Sequence, residues 1–448
     1  MAKRRRPRKR LPEDLVETDI TAISNEGRGI AHVDDRTVFI DQALLGETVS
    51  FKYTRLTSKV AEGCAVDIHD SSVLRVEPEC SAFRLCGGCS LQHMSSEAQI
   101  ELKQSMLIDQ LKHLSVEPDE IIEPLLGPEY GYRHKARLGV RYVHKKGKVL
   151  VGFRERNSSF ITETERCEVL HPSVGGIINE LADCINQLEQ KRNIPQIEVA
   201  VGDAQTVLVF RHLEELPESD RNMLSSFCSQ RSLVCYLQAG KPDQLELLYP
   251  ETAEPLYYEL PDQQLKIEFQ PSDFTQVNPD INRRMVSDAI AYLELEPSDV
   301  VLDLFSGLGN FSLAMARKCK HVTGVEGSLA MVNKARDNAS SNNISNAEFI
   351  YADLYSDEVL SAPWLKQHYD KILLDPPRSG AAAILPALKK MQAGIIVYVS
   401  CHPATLARDA EVLVKELGYD LAKAGIMNMF PHTAHVESIA VFVRRRKS

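Results

Sequence analysis

The stretch that most constrains this chain is Asp299-Val-Val-Leu-Asp-Leu-Phe-Ser-Gly-Leu-Gly-Asn310. An apolar run from Val300 to Leu304 breaks at a Ser-Gly-Leu-Gly turn, and an apolar helical pattern resumes at Phe311. Strand, glycine-rich turn and helix form the opening of a nucleotide-binding α/β unit. Gly307 and Gly309 allow a ligand to approach backbone that a Cβ would shield. A second apolar run, Val322 to Glu326, closes on an acid placed to accept hydrogen bonds from ribose hydroxyls. The third glycine of a dinucleotide fingerprint is missing, its place held by Ser312. Further strand-like runs end near Tyr351, Asp375, Ser400, Met429 and Val443, with helical patterns between all but the last two. This alternation predicts a doubly wound, Rossmann-like α/β domain whose ligands sit at the carboxyl ends of the strands.

Chemistry-bearing residues fall at those ends. Leu373-Leu-Asp-Pro-Pro-Arg378 closes the fourth run. Val397-Tyr-Val-Ser-Cys-His-Pro403 closes the fifth, with Pro403 suited to the first position of a helix. Cys401 at a strand tip before a helix N-terminus is a candidate nucleophile, because that end of a helix favours a thiolate. The loop Met429-Phe-Pro-His-Thr-Ala-His-Val-Glu-Ser438 offers Glu437 as a base, with His432 and His435 as positioning groups.

The N-terminal half differs in character. The net charge is −10, yet the first ten residues carry seven positive charges and no acid. Residues 1–12 are expected to be a disordered basic tail on an acidic body. Short alternating runs with turn signals over 13–75 predict a small β-barrel. Cys80-Ser-Ala-Phe-Arg-Leu-Cys-Gly-Gly-Cys89 sets three of the ten cysteines within ten residues. Without a secretion signal such thiols point to a metal rather than to disulfides, with Cys167 the best fourth ligand; zinc and an iron–sulfur cluster satisfy the spacing equally. Cys184, Cys228 and Cys235 read as buried fillers. Between Gly131 and Arg156 stand nine Lys/Arg and one acid, interleaved with Tyr132, Tyr142 and Phe153. That predicts a hairpin whose Arg133, Lys135, Arg137 and Arg141 face RNA, cations for phosphates and rings for bases. One helix is expected from Ser173 to Lys191. No apolar run approaches the roughly 20 residues of a membrane helix. A cytoplasmic protein with no membrane attachment is expected.

Several of these stretches are similar to known families. The opening motifs resemble those of S-adenosylmethionine (SAM)-dependent methyltransferases. Gly27-Arg-Gly-Ile-Ala31, Val38-Phe-Ile40, Ala43-Leu-Leu-Gly-Glu47 and Val49 resemble the TRAM domain, an OB-like barrel appended to RNA-modifying enzymes. Gln276-Val-Asn278, Asp303-Leu-Phe-Ser-Gly307, Asp375-Pro-Pro-Arg378, Ser400-Cys-His-Pro403 and Phe430-Pro-His-Thr-Ala-His-Val-Glu437 look like the bacterial uracil-5 RNA methyltransferases, and the barrel with the cysteine cluster looks like the ribosomal type. The resemblance implies a central α+β domain over 76–270 with a [4Fe–4S] cluster on Cys80, Cys86, Cys89 and Cys167, and a methyltransferase domain over 271–448. It also implies SAM contacts from Gln276, Phe305, Asn310, Glu326, Asp353 and Asp375, with Cys401 and Glu437 catalytic. The expected substrate is a uridine of 23S ribosomal RNA, acted on by a monomer. The alternatives are another uridine or the tRNA T-loop, a cytosine-5 enzyme, or an RNA-binding protein without catalysis. Ser306 stands where the ribosomal type often has Cys, and His402 where Asn is usual.

Overall fold

The computed structural model describes residues 11–57, 60–240 and 244–445. The expected basic tail lies outside them for residues 1–10. The chain divides into two compact units: residues up to Leu102 with Pro431–His435, and Lys103–Phe430 with the residues from Val436 onward.

The first unit is a six-stranded sheet of β1 (Val16–Asp19), β2 (Ala22–Ile23), β3 (Gly29–Val33), β4 (Arg36–Asp41), β5 (Thr48–Leu56) and β6 (Ala61–Asp70), in the order β1-β5-β6-β4-β3-β2. Residues from both ends of that order share one core: Ile20, Ala31, Val38, Ile40, Val49 and Phe51. A flat sheet could not bring them together, so the sheet curls into an OB-like barrel. Glu47, wholly buried, takes Arg75 in a two-pronged ion pair at 2.5 and 2.7 Å, which seals the chain leaving the barrel. A smaller core of Leu44, Leu91, Met94 and Ala98 also takes in Ala434, from far along the chain.

Helix α1 (Ser96–His113) leads to the second unit and to the two-residue β7 (Glu120–Ile121). There β8 (Lys135–Val143), β9 (Lys148–Gly152), β10 (Gln196–Val201), β11 (Thr206–Arg211), β12 (Leu233–Gln238) and β13 (Leu245–Tyr249) form a sheet ordered β13-β12-β11-β10-β8-β9. The expected hairpin is β8 with β9, paired antiparallel from Gly139 opposite Gly152 to Val143 opposite Lys148. The expected helix from Ser173 is broken into α2 (Pro172–Gly175) and α3 (Ile178–Gln187), and α4 (Glu218–Ser229) follows. The run Thr206-Val-Leu-Val-Phe210 explains the layering. Val207 and Val209 enter one core and Leu208 and Phe210 another, so this strand is buried on both faces. The first of those cores continues through the hairpin β14 (Leu256–Leu260) and β15 (Leu265–Phe269) and α5 (Pro279–Leu293) into the catalytic half, which is why residues 103–270 do not separate from it. Cys184, Cys228 and Cys235 lie buried in the other core.

The catalytic half holds β16 (Val300–Leu304), α6 (Ser312–Ala316), β17 (His321–Glu326), α7 (Leu329–Ser341), β18 (Ala347–Tyr351), β19 (Lys371–Leu374), α8 (Leu385–Met391), β20 (Ile395–Ser400), α9 (Pro403–Lys415), β21 (Tyr419–Met427) and β22 (Glu437–Arg444). The sheet order is β18-β17-β16-β19-β20-β22-β21-β7. The first five of these strands are parallel and β22 is antiparallel to both its neighbours. The connections reverse direction between β16 and β19, so a ligand crevice opens beyond their carboxyl ends. The edge strand β7 was not foreseen: two residues add parallel to β21 through Lys423 and Ala424.

Candidate active site

Cys401 and Glu437 meet because of a register. Strands β20 and β22 pair antiparallel with Ile395 opposite Val443 and Ser400 opposite Ser438. Cys401 follows Ser400 and Glu437 precedes Ser438, so both stand at this end of the ladder, close enough for the carboxylate to act on the thiol. Ser438 Oγ donates to Ser400 O at 3.1 Å and locks this end of the ladder. Helix α9 starts immediately after, with Pro403 at its head and His402 as its cap, the imidazole Nδ1 accepting from the Thr405 N–H at 3.4 Å. His402 therefore supplies the capping acceptor that an Asn would supply at this position.

The electrostatics of the pair correct one expectation. The Cys401 thiol is not held as a thiolate. Burial pushes it up to about 11, the negative charges of Glu437 and Asp375 add to that, and the Arg378 guanidinium opposes it. Desolvation and two carboxylates outweigh the helix N-terminus. Glu437, nearly inaccessible, is pushed well above the usual carboxylate range by burial and by Asp375, again opposed by Arg378. Asp375 is lifted to about 7 by burial. Cysteine, two basic carboxylates and one exposed guanidinium thus act on one another beyond the tips of β19, β20 and β22.

The turn after β16 lies beside them. Phe305 adopts a left-handed φ of +68°, and its N–H and that of Ser306 both donate to Val325 O. Gly307 donates to Glu326 Oε2 at 3.1 Å, and Ser328 N donates to Oε1 at 2.8 Å. The Asp375 N–H reaches Leu304 O at 3.3 Å. Asp303, wholly buried, bonds the Ser312 hydroxyl, and burial with the neighbouring Asp375 and Glu326 lifts it to about 7. Phe305, Glu326 and Asp375 therefore line one crevice. Asp353 is exposed just past β18 and caps its own turn through the Tyr355 N–H at 2.9 Å. Tyr355 returns to the crevice, its ring centroid 5.8 Å from that of Phe305. Asn310 is committed to packing, bonded to Tyr258 and reciprocally to Asn282. Gln276 is half-buried two residues before Asn278, the cap of α5, and makes none of the bonds just described.

With this geometry in view the comparisons are decisive. Residues 95–446 match the family described as tRNA (uracil-5-)-methyltransferase. The chain belongs to the uracil-5 methyltransferase family. Its relatives include the 23S rRNA (uracil(1939)-C(5))-methyltransferase RlmD of Alcanivorax borkumensis, 49% identical over 444 residues and 99% of both chains. The enzyme of the same name from Methylococcus capsulatus is 50% identical over 438 residues, 98% of this chain and 99% of its own. Among solved structures, the Pyrococcus abyssi tRNA (uracil-54, C5)-methyltransferase in complex with S-adenosyl-L-homocysteine superposes with a TM-score of 0.73 at 23% identity, covering 95% of this chain and 99% of that one, and shares its fold.

In this family member the crevice suits SAM. A Cβ built on Gly307, at φ +55°, would meet nothing within 4 Å, so open space lies over the turn. The buried Asp303 Oδ1 and Ser306 Oγ have no hydrogen-bond partner among the described residues. Such atoms mark a polar site shaped for a ligand.

The cysteine cluster is divided. Cys80, Cys86 and Cys89 fall in the first unit and Cys167 in the second, and all four are half-buried. Cys86 sits in a tight turn, its N–H donating to Ala82 O, and Gly88 N–H points to the Cys86 sulfur at 3.4 Å. Among the described residues no three His, Cys, Asp or Glu side chains converge as a site for a single metal ion.

The basic hairpin is less open than its sequence promised. The Lys135 ammonium is turned inward onto the carbonyls of Pro271 and Asp273, at 2.5 and 2.6 Å. Arg137 pairs with Glu198 at 3.0 Å. Tyr132 is buried. The exposed ring is instead Phe160, 61% accessible, with Arg141 over its face at 5.8 Å. His432 is buried, its carbonyl accepts from Ser90 and Leu91, and its N–H donates to Gln99. Tyr355 and Lys103 went unread in the sequence. Lys103 in α1 is buried, with its ammonium on Asn428 and the Phe430 carbonyl, and burial lowers it to about 7. Only its place on the apolar face of α1 could have singled it out.

Proposed function

We propose that this enzyme methylates C5 of a uridine in 23S ribosomal RNA, at the position equivalent to the 1939 carried in the names of its relatives. The meeting of Cys401 and Glu437 at the end of the β20–β22 ladder supports this reading most directly. Uracil C5 is a poor nucleophile. The Cys401 sulfur loses its proton and adds to C6, and the C5–C6 electron pair moves into an enolate that makes C5 nucleophilic. SAM supplies an electrophilic methyl group in the crevice lined by Phe305, Glu326 and Asp375. Once C5 carries the methyl group, Glu437 removes the C5 proton, the C6–sulfur bond breaks, and Cys401 leaves with its electron pair. A carboxylate raised by burial is a stronger base than an exposed one, which suits proton abstraction from carbon. Asp375 holds the uracil edge or the SAM amino group, and Asp353 and Gln276 complete the cofactor contacts. The base must leave its stack to reach a half-buried sulfur.

The cysteine turn offers Cys80, Cys86 and Cys89 as thiolate ligands to a [4Fe–4S] cluster. The Gly88 N–H aimed at the Cys86 sulfur is the kind of hydrogen bond that cluster thiolates receive. Methyl transfer consumes no electrons, so the cluster serves structure. The barrel and the Phe160–Arg141 platform face RNA. Among the described residues no helix is long and apolar enough to cross a membrane. A ribosomal RNA substrate fits an enzyme that works in the cytoplasm.

The test is transfer of labelled methyl from SAM to unmodified RNA, with nucleoside analysis of the product. The expected product is 5-methyluridine in 23S rRNA, absent with Cys401→Ala. With Glu437→Gln a covalent protein–RNA adduct accumulates, because sulfur can add but the C5 proton cannot leave. Methylation of tRNA in place of 23S rRNA keeps the chemistry and overturns the substrate. No transfer to either RNA overturns both.

A further inference from the structure

The loop that carries Asp375 and Arg378 is not held by its own strand alone. Asp409, on α9 and wholly buried, grips it from the side of the nucleophile. Its Oδ2 accepts the Ala381 N–H at 2.6 Å and the Tyr398 hydroxyl at 2.7 Å. Its Oδ1 takes both arms of Arg408, at 2.8 and 2.7 Å, and Arg408 Nη2 donates on to Ser379 O at 2.9 Å. From the opposite side the Tyr355 hydroxyl donates to Gly380 O at 2.9 Å and bonds the Ser379 hydroxyl at 2.8 Å. Gly380, at φ +76°, is the residue this grip requires: any Cβ would collide with Arg408 Nη2 and Asp409 Oδ2. A buried carboxylate that satisfies four donors is a costly arrangement if all it does is fill a helix face. What it connects is specific. On one side is the helix that begins two residues after Cys401. On the other is the turn that begins one residue after Arg378.

We propose that Asp409 is a positioning residue for methyl transfer: together with Arg408 it clamps the Ser379–Ala381 turn to α9 and so fixes Arg378 and Asp375 relative to Cys401. It touches neither substrate nor cofactor. It acts through the loop, and the proposal rests on Cys401 being the nucleophile.

The clamp separates chemistry from binding. Phe305 and Glu326 are held by contacts outside the clamp, so most of the SAM crevice does not depend on Asp409, and Asp375 is the link between the two. Asp409→Asn keeps an acceptor for Ala381 and Tyr398 but gives up the charge that holds Arg408. A displacement on the ångström scale among reacting groups costs about 10²-fold in rate. We expect Asp409→Asn to lower kcat on unmodified RNA by about that factor and to slow formation of the Cys401–RNA adduct equally, with KM for RNA and the dissociation constant for SAM close to wild type. Arg408→Lys, at a side chain 44% exposed, keeps a cation beside the buried Asp409 carboxylate but removes the fork that also ties it to Ser379, and serves if Asp409→Asn does not fold. Its expected result is the same split. A folded variant with wild-type kcat overturns the clamp, as does one whose SAM affinity falls in step with its rate. If wild-type enzyme forms no adduct through Cys401, the failure lies instead with the nucleophile on which the clamp rests.

Discussion

The state of the Cys401 thiol in the free enzyme can be measured directly. Burial with Glu437 and Asp375 puts it at about 11, against ~8.5 for an ordinary cysteine, a difference of roughly 3 kcal/mol against ionisation. At pH 8 roughly one molecule in a thousand then carries a thiolate, where an ordinary cysteine is ionised in about a quarter of molecules. The assay is the rate of alkylation of Cys401 by iodoacetamide from pH 6 to 10, read by mass spectrometry on the Cys401 peptide. The rate should rise about tenfold per pH unit over that whole range, with no plateau. Arg378→Ala removes the one cation that opposes the shift and should lower the rate at every pH. A plateau below pH 9 would refute the reasoning: it would mean that the head of α9 outweighs desolvation. Alkylation insensitive to Arg378 would show that the guanidinium does not act at the sulfur.

Three further outcomes follow from other parts of the molecule. Gly380→Ala combines a strained φ with a collision at the clamp and should destabilise the enzyme by about 1–3 kcal/mol in chemical denaturation; no loss would mean the turn is free to move. Lys103 titrates near 7 when folded and near ~10.4 when unfolded, so the unfolded chain binds the extra proton between those values and the lysine's contribution to stability grows as pH rises from 7 to 10, by at most about 1.4 kcal/mol per unit. The stability gap between wild type and Lys103→Met should therefore shift in favour of wild type between pH 7 and 9, and a constant gap would show that the ammonium is not desolvated. Cys86→Ser should abolish the bound iron while SAM binding persists; full iron content in the variant would remove Cys86 from the ligand set.

The catalytic sheet was legible because both its signals are local. Continuous apolar runs such as Ile395-Ile-Val-Tyr-Val399 mark strands buried on both faces, and the glycine turn at 307–309 marks the crevice. Cys401 and Glu437 stood out as loop residues, but their meeting did not. It depends on β22 entering antiparallel beside β20, which no periodicity announces. The thiol's protonation was misread for a related reason. A helix N-terminus is visible in the sequence, whereas burial among Glu437 and Asp375 exists only once three strands are assembled. Lys135 failed likewise: alternation put it on the outer face of β8, and the carbonyls of Pro271 and Asp273, some 136 residues on, turned its ammonium inward. Asp409 reads as an ordinary helix acid until Tyr398 and Ala381 are seen to converge on it.

The five residues Pro431–His435 belong to the unit built from the first hundred residues, although the chain on either side of them belongs to the other. Gln99 and His432, which bond to each other, are separated by 333 positions. During synthesis, then, the barrel can form early, but the core around Leu91, Met94 and Ala98 waits for Ala434, which is made long after it. Until then a nascent N-terminal fragment holds an unfinished cysteine unit. The His-containing loop acts as a late-arriving stopper, and Glu437 follows it two residues later, so Glu437 joins the protein only as its N-terminal unit closes.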